Sequence, residues 1–190
     1  MKLRDLFPGI PATLIQGEWD TEIEDFDFDS RKIKQGTAFV AVKGTAVDGH
    51  KFIEKAIGQG AVAIILEDTP AELQKGVTYI QVENSRRELA RIASNFYGNP
   101  SGKLKVVGVT GTNGKTTSAT LLHKTFLALG YTSGLVSTIR YMIGEDEYPS
   151  SHTTPDPKQL HHLFAEMLEH GCEYCFMEVS SHALVQYRVK

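Results

Sequence analysis

The sequence predicts an α/β protein made of two successive strand–helix blocks with largely parallel sheets. Two observations predict it. Short apolar, β-rich runs recur at 37–42 (TAFVAV), 61–66 (AVAIIL), 77–82 (VTYIQV), 104–109 (LKVVGV) and 174–179 (YCFMEV). Between them lie longer segments whose apolar residues fall at helical spacing, and that alternation is the pattern of parallel sheets covered by helices. Composition agrees, because 41% hydrophobic and 23% charged residues over 190 positions are ordinary for a globular chain and exclude collagen and disorder.

In the first block, Phe26 and Phe28 alternate within an acidic stretch, which predicts an edge or half-buried strand. The run at 37–42 is a strand ending at Gly44. Phe52, Ile53, Ala56 and Ile57 share a helical face, and that helix should stop at Gly58 or Gly60. Strands follow at 61–66 and 77–82. Leu89, Ile92, Ala93 and Phe96 mark a second helix. Asn84 or Ser85 should cap it, with Glu88 placed as the partner of Ser85 in a capping box. Gly98-Asn99-Pro100-Ser101-Gly102 then breaks the pattern. We therefore expect a first domain over 1–98, a linker at 99–103, and a second domain over 104–190.

The second block opens with the strand at 104–109 and a glycine-rich loop. A helix follows, with Leu121, Leu122, Thr125, Phe126 and Leu129 as its apolar stripe and Gly130 as its stop. Strands are expected over 134–139 and 174–179, with a hairpin tip at 144–147. Leu160, Leu163, Phe164, Met167 and Leu168 stand at i, i+3, i+4, i+7 and i+8, an amphipathic helix. In such sheets ligands bind beyond the carboxyl ends of strands. The most polar loops of that kind follow Val109 and Val179.

Gly111, Thr112, Asn113, Gly114, Lys115, Thr116 and Thr117 form the strongest chemical signal. Glycines let backbone N–H groups wrap phosphate oxygens, and the following helix N-terminus adds partial positive charge. Lys115 can reach the β- and γ-phosphates, and the Thr116 hydroxyl can hold Mg²⁺. The general phosphate-loop pattern wants glycine at position 109, where this chain has valine.

The shorter form GTNGKTT resembles the ATP loop of the Mur ligase family, in which this spacing is usual. Asp29-Ser30-Arg31, the run GTAFVAVKG and Asp48-Gly49-His50 resemble that family's N-terminal UDP-binding domain. Thr153-Thr154-Pro155 is similar to its segment for UDP-MurNAc-peptide. Glu178 to Leu184 (EVSSHAL), with Gln186 and Arg188, resembles the signature of its central ATPase domain. That last form is most similar to the branch adding a third amino acid.

The resemblance implies a Rossmann-like UDP-binding domain followed by a partial P-loop ATPase-type domain. It also implies ATP-dependent amide formation on UDP-MurNAc-L-Ala-D-Glu with lysine or meso-diaminopimelate, with ATP and Mg²⁺ as cofactors. Residue by residue, Lys115 and Glu178 would be catalytic, with Thr116 and Glu178 on the metal. Phe28, Ser30, Thr45, Ala46 and Val47 would contact the uridine nucleotide, and Thr153, Thr154, Ser180, Gln186 and Arg188 the MurNAc-peptide. Because the family's chains run much longer, it further implies an incomplete central domain, an exposed sheet edge, and no complete synthetase activity in this chain alone. Another Mur or folylpolyglutamate-type ligase, or a short non-catalytic nucleotide-binding module, stays open as an alternative.

Other classes find little support. Lys and Arg number 20 against 23 Asp and Glu, so no basic excess points to nucleic acid. No apolar window reaches the length of a membrane span, and the N-terminus lacks a signal-peptide core. Two cysteines, Cys172 and Cys175, are too few for a disulfide framework or a zinc ribbon, so a reducing cytoplasm is the expected setting. His161, His162 and His170 read as surface residues, and His182 as a packed structural histidine.

Overall fold

The computed structural model describes residues 1–44, 47–150 and 152–189. The chain divides into two compact units, Met1–Asn95 and Phe96–Lys190.

The first unit holds strands β1 (Ala12–Gln16), β2 (Asp25–Asp27), β3 (Thr37–Val40), β4 (Ala61–Leu66) and β5 (Thr78–Val82), with helices α1 (Ile53–Gly58) and α2 (Ser85–Phe96). Its sheet order is β1-β5-β4-β3-β2, parallel except for β1, which runs antiparallel to β5. Phe39, Ile64, Leu66 and Tyr79 point to one face and pack with Ile53 and Ala56 of α1. The alternate residues Ala38, Val40, Ala63, Ile65 and Ile80 point to the other face and are equally buried. This two-sided burial is why β3 and β4 read as unbroken apolar runs.

Two sequence expectations change here. Strand β1 was not anticipated, because its five residues alternate between half-buried and exposed at a sheet edge and carry little periodic signal. The capping box is also displaced. Asn84 caps α2 by accepting the Arg87 N–H at 2.8 Å, while Ser85 is buried and turns its hydroxyl to Glu67. Glu88 is bound instead by Arg87 and Arg91.

The second unit holds β6 (Lys105–Val109), β7 (Ser133–Val136), β8 (Arg140–Ile143), β9 (Asp146–Pro149) and β10 (Tyr174–Glu178), with α3 (Lys115–Ala128), α4 (Pro157–Glu169) and α5 (Ser181–Val185). The order is β6-β10-β7-β8-β9. β6, β10 and β7 are parallel, and β8 and β9 form an antiparallel extension around the expected hairpin tip. The strand expected over 134–139 stops at Val136, and Ile139 lies exposed in the turn beyond it. β6 is an edge strand, and its Val107 is 40% exposed.

Helix α4 covers one face with Leu160, Leu163, Phe164 and Met167, and α3 covers the other with Ala119, Leu122 and Phe126. The expected α3 stripe is corrected. Leu122 and Phe126 pack inward as expected, but Leu121 and Leu129 are 64% and 66% exposed, and Ala119 and His123 are the buried residues beside them. A helix that is apolar on two sides gives no single stripe to read.

Two histidines also differ from expectation. His182 is exposed on α5. His161 is not on the surface. It is 3% exposed, and its Nδ1 finds no hydrogen-bond partner among the described residues. Burial pushes its pKa down to about 4. The folded state thus keeps His161 neutral where an unfolded chain would take up a proton, so unfolding binds the proton and stability rises with pH between about 4 and about 6.5. We expect His161→Leu to flatten that rise, worth on the order of 3 kcal/mol in all, and to leave stability above pH 7 unchanged or higher. Urea unfolding at pH 5 and pH 7.5 measures it; an unchanged slope would contradict the assignment.

Cys172 and Cys175 are both buried, and burial pushes both thiols up. A reactive thiolate needs the opposite environment. Iodoacetamide should therefore label neither cysteine at pH 8 until denaturant is added, as mass spectrometry of intact protein would show.

Candidate functional site

In the second unit the site grows from the carboxyl ends of neighbouring strands. β6 ends at Val109 and the chain turns through 110–114 into α3. Gly114 precedes the helix at φ 82° and Gly111 sits at φ 147°, conformations that L side chains rarely adopt. The loop is exposed, and the Lys115 ammonium folds back to donate to the carbonyls of Gly111 at 2.7 Å and Thr112 at 3.3 Å. The backbone is therefore already curled around its own cation.

Glu178 ends β10 in register with Val109, so the acid stands beside the strand end from which the loop leaves. It is 1% exposed. Its Oε1 accepts the Thr138 N–H at 2.8 Å, and its Oε2 lies 3.2 Å from the Thr138 hydroxyl, which is 3.0 Å from that of Thr153. The buried Thr154 hydroxyl donates to the Glu178 carbonyl at 2.9 Å and accepts the Ser180 N–H at 3.2 Å. Ser180 caps α5 by accepting the Ala183 N–H. The Arg188 guanidinium donates to Gln186 Oε1 through Nε and Nη2, and to the Thr154 carbonyl at 2.8 Å.

Thr153, Thr154, Glu178, Ser180, Gln186 and Arg188 thus form one connected network, although 35 positions separate its ends in sequence. Sequence reasoning missed Thr138. Its signal was available: with Ser137 it is one of the two polar residues just past the carboxyl end of β7, where the strand-end rule places ligands. The Arg188 fork is also engaged within the chain, so it braces the loop 153–155.

The donors suit Mg²⁺ arriving with a nucleotide. Mg²⁺ takes one or two protein oxygens together with phosphate and water. Thr116 and Glu178 offer hard oxygens of that kind, and no cluster of three or more His, Cys, Asp or Glu among the described residues could hold a metal by itself.

The first unit carries a cleft of about 560 Å³ at the carboxyl ends of β2 and β3, lined by Phe28, Ser30, Arg31, Val42, Val47 and Phe52 among others. Ser30 is buried, and Val47 is 55% exposed on the rim. Asp29 and Arg31 form a two-pronged pair at 2.9 and 2.7 Å, and that pairing holds the Asp29 carboxyl down at about 2. Thr45 and Ala46 lie outside the described residues. Among the described residues, no helix is long and apolar enough to cross a membrane.

Comparison with known proteins places these features in a family. A model of the Mur ligase middle domain matches residues 109–190, and a model described as "Mur ligase family, catalytic domain" matches residues 22–97. Over 189 residues the chain is 50% identical to a UDP-N-acetylmuramoyl-L-alanyl-D-glutamate–2,6-diaminopimelate ligase of Bacteroides fragilis, and 44% identical to the ligase of that name from Clostridioides difficile. Each match covers the whole chain and 39% of the relative, so the chain spans about two fifths of these relatives' length. A solved structure of a ligase with that name superimposes with TM-score 0.80 at 24% identity, covering all of this chain and 38% of the other. A MurF ligase from Thermotoga maritima in complex with ADP gives TM-score 0.52 at 28% identity, covering 85% of this chain and 32% of the other.

Proposed function

The chain belongs to the Mur ligase family, and on that premise we propose that it is the nucleotide- and substrate-binding part of a ligase that adds a third amino acid to UDP-MurNAc-L-Ala-D-Glu. The names of the relatives favour 2,6-diaminopimelate over lysine as that amino acid. The observation that carries the reading is the network around Glu178. It gathers the substrate-type residues Thr153, Thr154, Ser180, Gln186 and Arg188 beside the strand that bears the phosphate loop.

The chemistry follows from what a carboxylate lacks. Oxide is a poor leaving group, so an oxygen of the D-Glu side-chain carboxylate first attacks the γ-phosphorus of ATP and ADP departs. The amine nitrogen then attacks the acyl carbon of the resulting acyl phosphate, and inorganic phosphate leaves with the amide formed. Such a reaction needs charge neutralisation and positioning above all.

In this reading Lys115 leaves its two loop carbonyls to meet the β- and γ-phosphates, and the backbone N–H groups of 111–116 take phosphate oxygens. Thr116 and Glu178 would hold Mg²⁺, which offsets phosphate charge. Thr138 keeps the Glu178 carboxylate aimed. Arg188 and Gln186 hold the 153–155 loop to the peptide end of the substrate. The cleft of the first unit, with Phe28, Ser30 and Val47 in its lining, takes the uridine nucleotide.

Calorimetric titration of the chain with UDP-MurNAc-L-Ala-D-Glu, against UDP-glucose as comparison, tests the proposal. Clear preference for the muramyl dipeptide is expected. Equal binding of both would reduce the chain to a general UDP-sugar module.

A further inference from the structure

We propose that His50 is a positioning residue for the cleft of the first unit, fixing the loop that forms one wall of that cleft through a single ring tautomer. The inference rests on the reading of the cleft as a uridine-nucleotide site.

The wall is formed by two legs of chain. Val42, Gly44, Val47 and Gly49 all line the cleft. Lys43 and Asp48 pair as an isolated antiparallel bridge, with the Gly44 N–H on the Val47 carbonyl at 3.0 Å and the Gly49 N–H on the Val42 carbonyl at 2.8 Å. A Cβ on Gly49 would come within 2.7 Å of the Val42 backbone, so the two legs touch main chain to main chain. Val47 is largely exposed and supplies no core. The bridge holds the two legs to each other, and side-chain anchors at their base hold them to the rest of the unit.

The first leg is anchored by charge. The Lys43 N–H donates to the Ser85 hydroxyl, and the Arg86 guanidinium donates to the Lys43 carbonyl. The Lys43 ammonium lies 2.6 Å from Asp68 and 3.4 Å from Glu67. Burial pushes the Glu67 carboxyl up, but the hydrogen bonds from Ser85 and Lys43 outweigh it and hold the acid below its usual range.

The second leg is anchored by His50. Its Nε2 accepts two backbone N–H groups just past β4, those of Glu67 at 3.0 Å and Asp68 at 3.2 Å. An imidazole nitrogen that accepts must carry its lone pair, so the ring proton sits on Nδ1. Nδ1 is 2.7 Å from Asp48 Oδ1, which also accepts the His50 N–H at 3.0 Å. The ring thereby links the end of β4 to the returning leg of the loop. Both legs converge on residues 67 and 68, one through Lys43 and one through His50. Moving the proton to Nε2 would set it against two N–H donors and leave Asp48 facing a bare lone pair. A phenyl ring of the same size would leave two amides without their acceptor.

The test is calorimetric binding of UDP to the 190-residue chain and to His50→Phe and His50→Gln. We expect His50→Phe to weaken UDP binding about tenfold, the worth of one or two hydrogen bonds. His50→Gln, whose amide oxygen can accept from Glu67 or Asp68, should recover binding to within about threefold of the parent. ATP binding in the second unit should be unchanged in both. UDP binding by the parent with His50→Phe equally tight would overturn the positioning role. No UDP binding by the parent would instead overturn the cleft reading on which it rests. The parent chain also gives an answer that needs no variant to fold. Long-range ¹H–¹⁵N spectra should show the His50 ring protonated on Nδ1 alone, and a ring protonated on Nε2 would overturn the proposal.

Discussion

Replacing Lys115 with methionine should abolish measurable ATP binding, a loss of at least about 100-fold, or nearly 3 kcal/mol. The charge-assisted contact between the ammonium and the phosphates is the strongest single interaction the loop can offer. Methionine keeps the length of the side chain and is nearly as good a helix former, so the start of α3 should be unaltered. The two carbonyls that Lys115 now holds, those of Gly111 and Thr112, belong to exposed residues and can turn to water. The fold should therefore survive with an unchanged far-UV spectrum while the titration goes flat. Arginine should not rescue, because a planar fork cannot replace a compact point charge inside a tightly curled loop. ATP binding within a factor of about three of the parent in Lys115→Met would contradict the role assigned to the loop.

Replacing Gly134 with valine should destabilise the second unit by about 3 kcal/mol, the upper part of the range for overpacked cores. A Cβ at this position would lie 2.3 Å from Met167 Sδ and 2.5 Å from its Cε. Methionine is normally a forgiving neighbour. Met167 is fully buried, however, in a cluster with Val136, Leu163, Phe164 and Met177, so its displacement disturbs the core. Gly134 also sits in β7 between β10 and β8, opposite Cys175 and Ile143, so the strand cannot shift without disturbing both partners. Trimming the neighbour should restore much of the loss: Gly134→Val with Met167→Ala is expected to be more stable than the sum of the two single changes. Denaturant unfolding by circular dichroism measures it. The lone tryptophan, Trp19, lies in the first unit, so its fluorescence should keep the parent transition. Parent-like stability in Gly134→Val would contradict the packing described.

Much of this was legible in the sequence because the signals were backbone signals. Strands β3, β4, β5 and β10 are apolar on both faces and short, which only a doubly covered sheet explains. The phosphate loop shows itself through glycines whose φ angles few other residues tolerate. What escaped depended on tertiary choices between local equals. Asn84 and Ser85 are both good caps, and Glu67 decided between them by claiming Ser85. Leu121 and Leu122 lie side by side on α3, and only the position of the sheet settles which one turns inward. His161 shares its helix face with Leu160 and Phe164, and a polar letter at a core position misleads any reading by residue type. Thr138 acquires its place from Glu178, 40 positions later, which no local pattern encodes.

The strand order of the second unit has a consequence for the time course of assembly. β6 and β7 do not touch each other; β10 lies between them and bonds to both. During synthesis the chain therefore makes the phosphate loop and its helix early, yet the strand that seats them emerges only after β7, β8, β9 and α4. The first unit can fold as soon as its own residues have left the ribosome, since all its strands lie within Ala12–Val82. The second must wait until Tyr174–Glu178 slides between two strands already made, a late and non-local closure that should make it the slower of the two to fold.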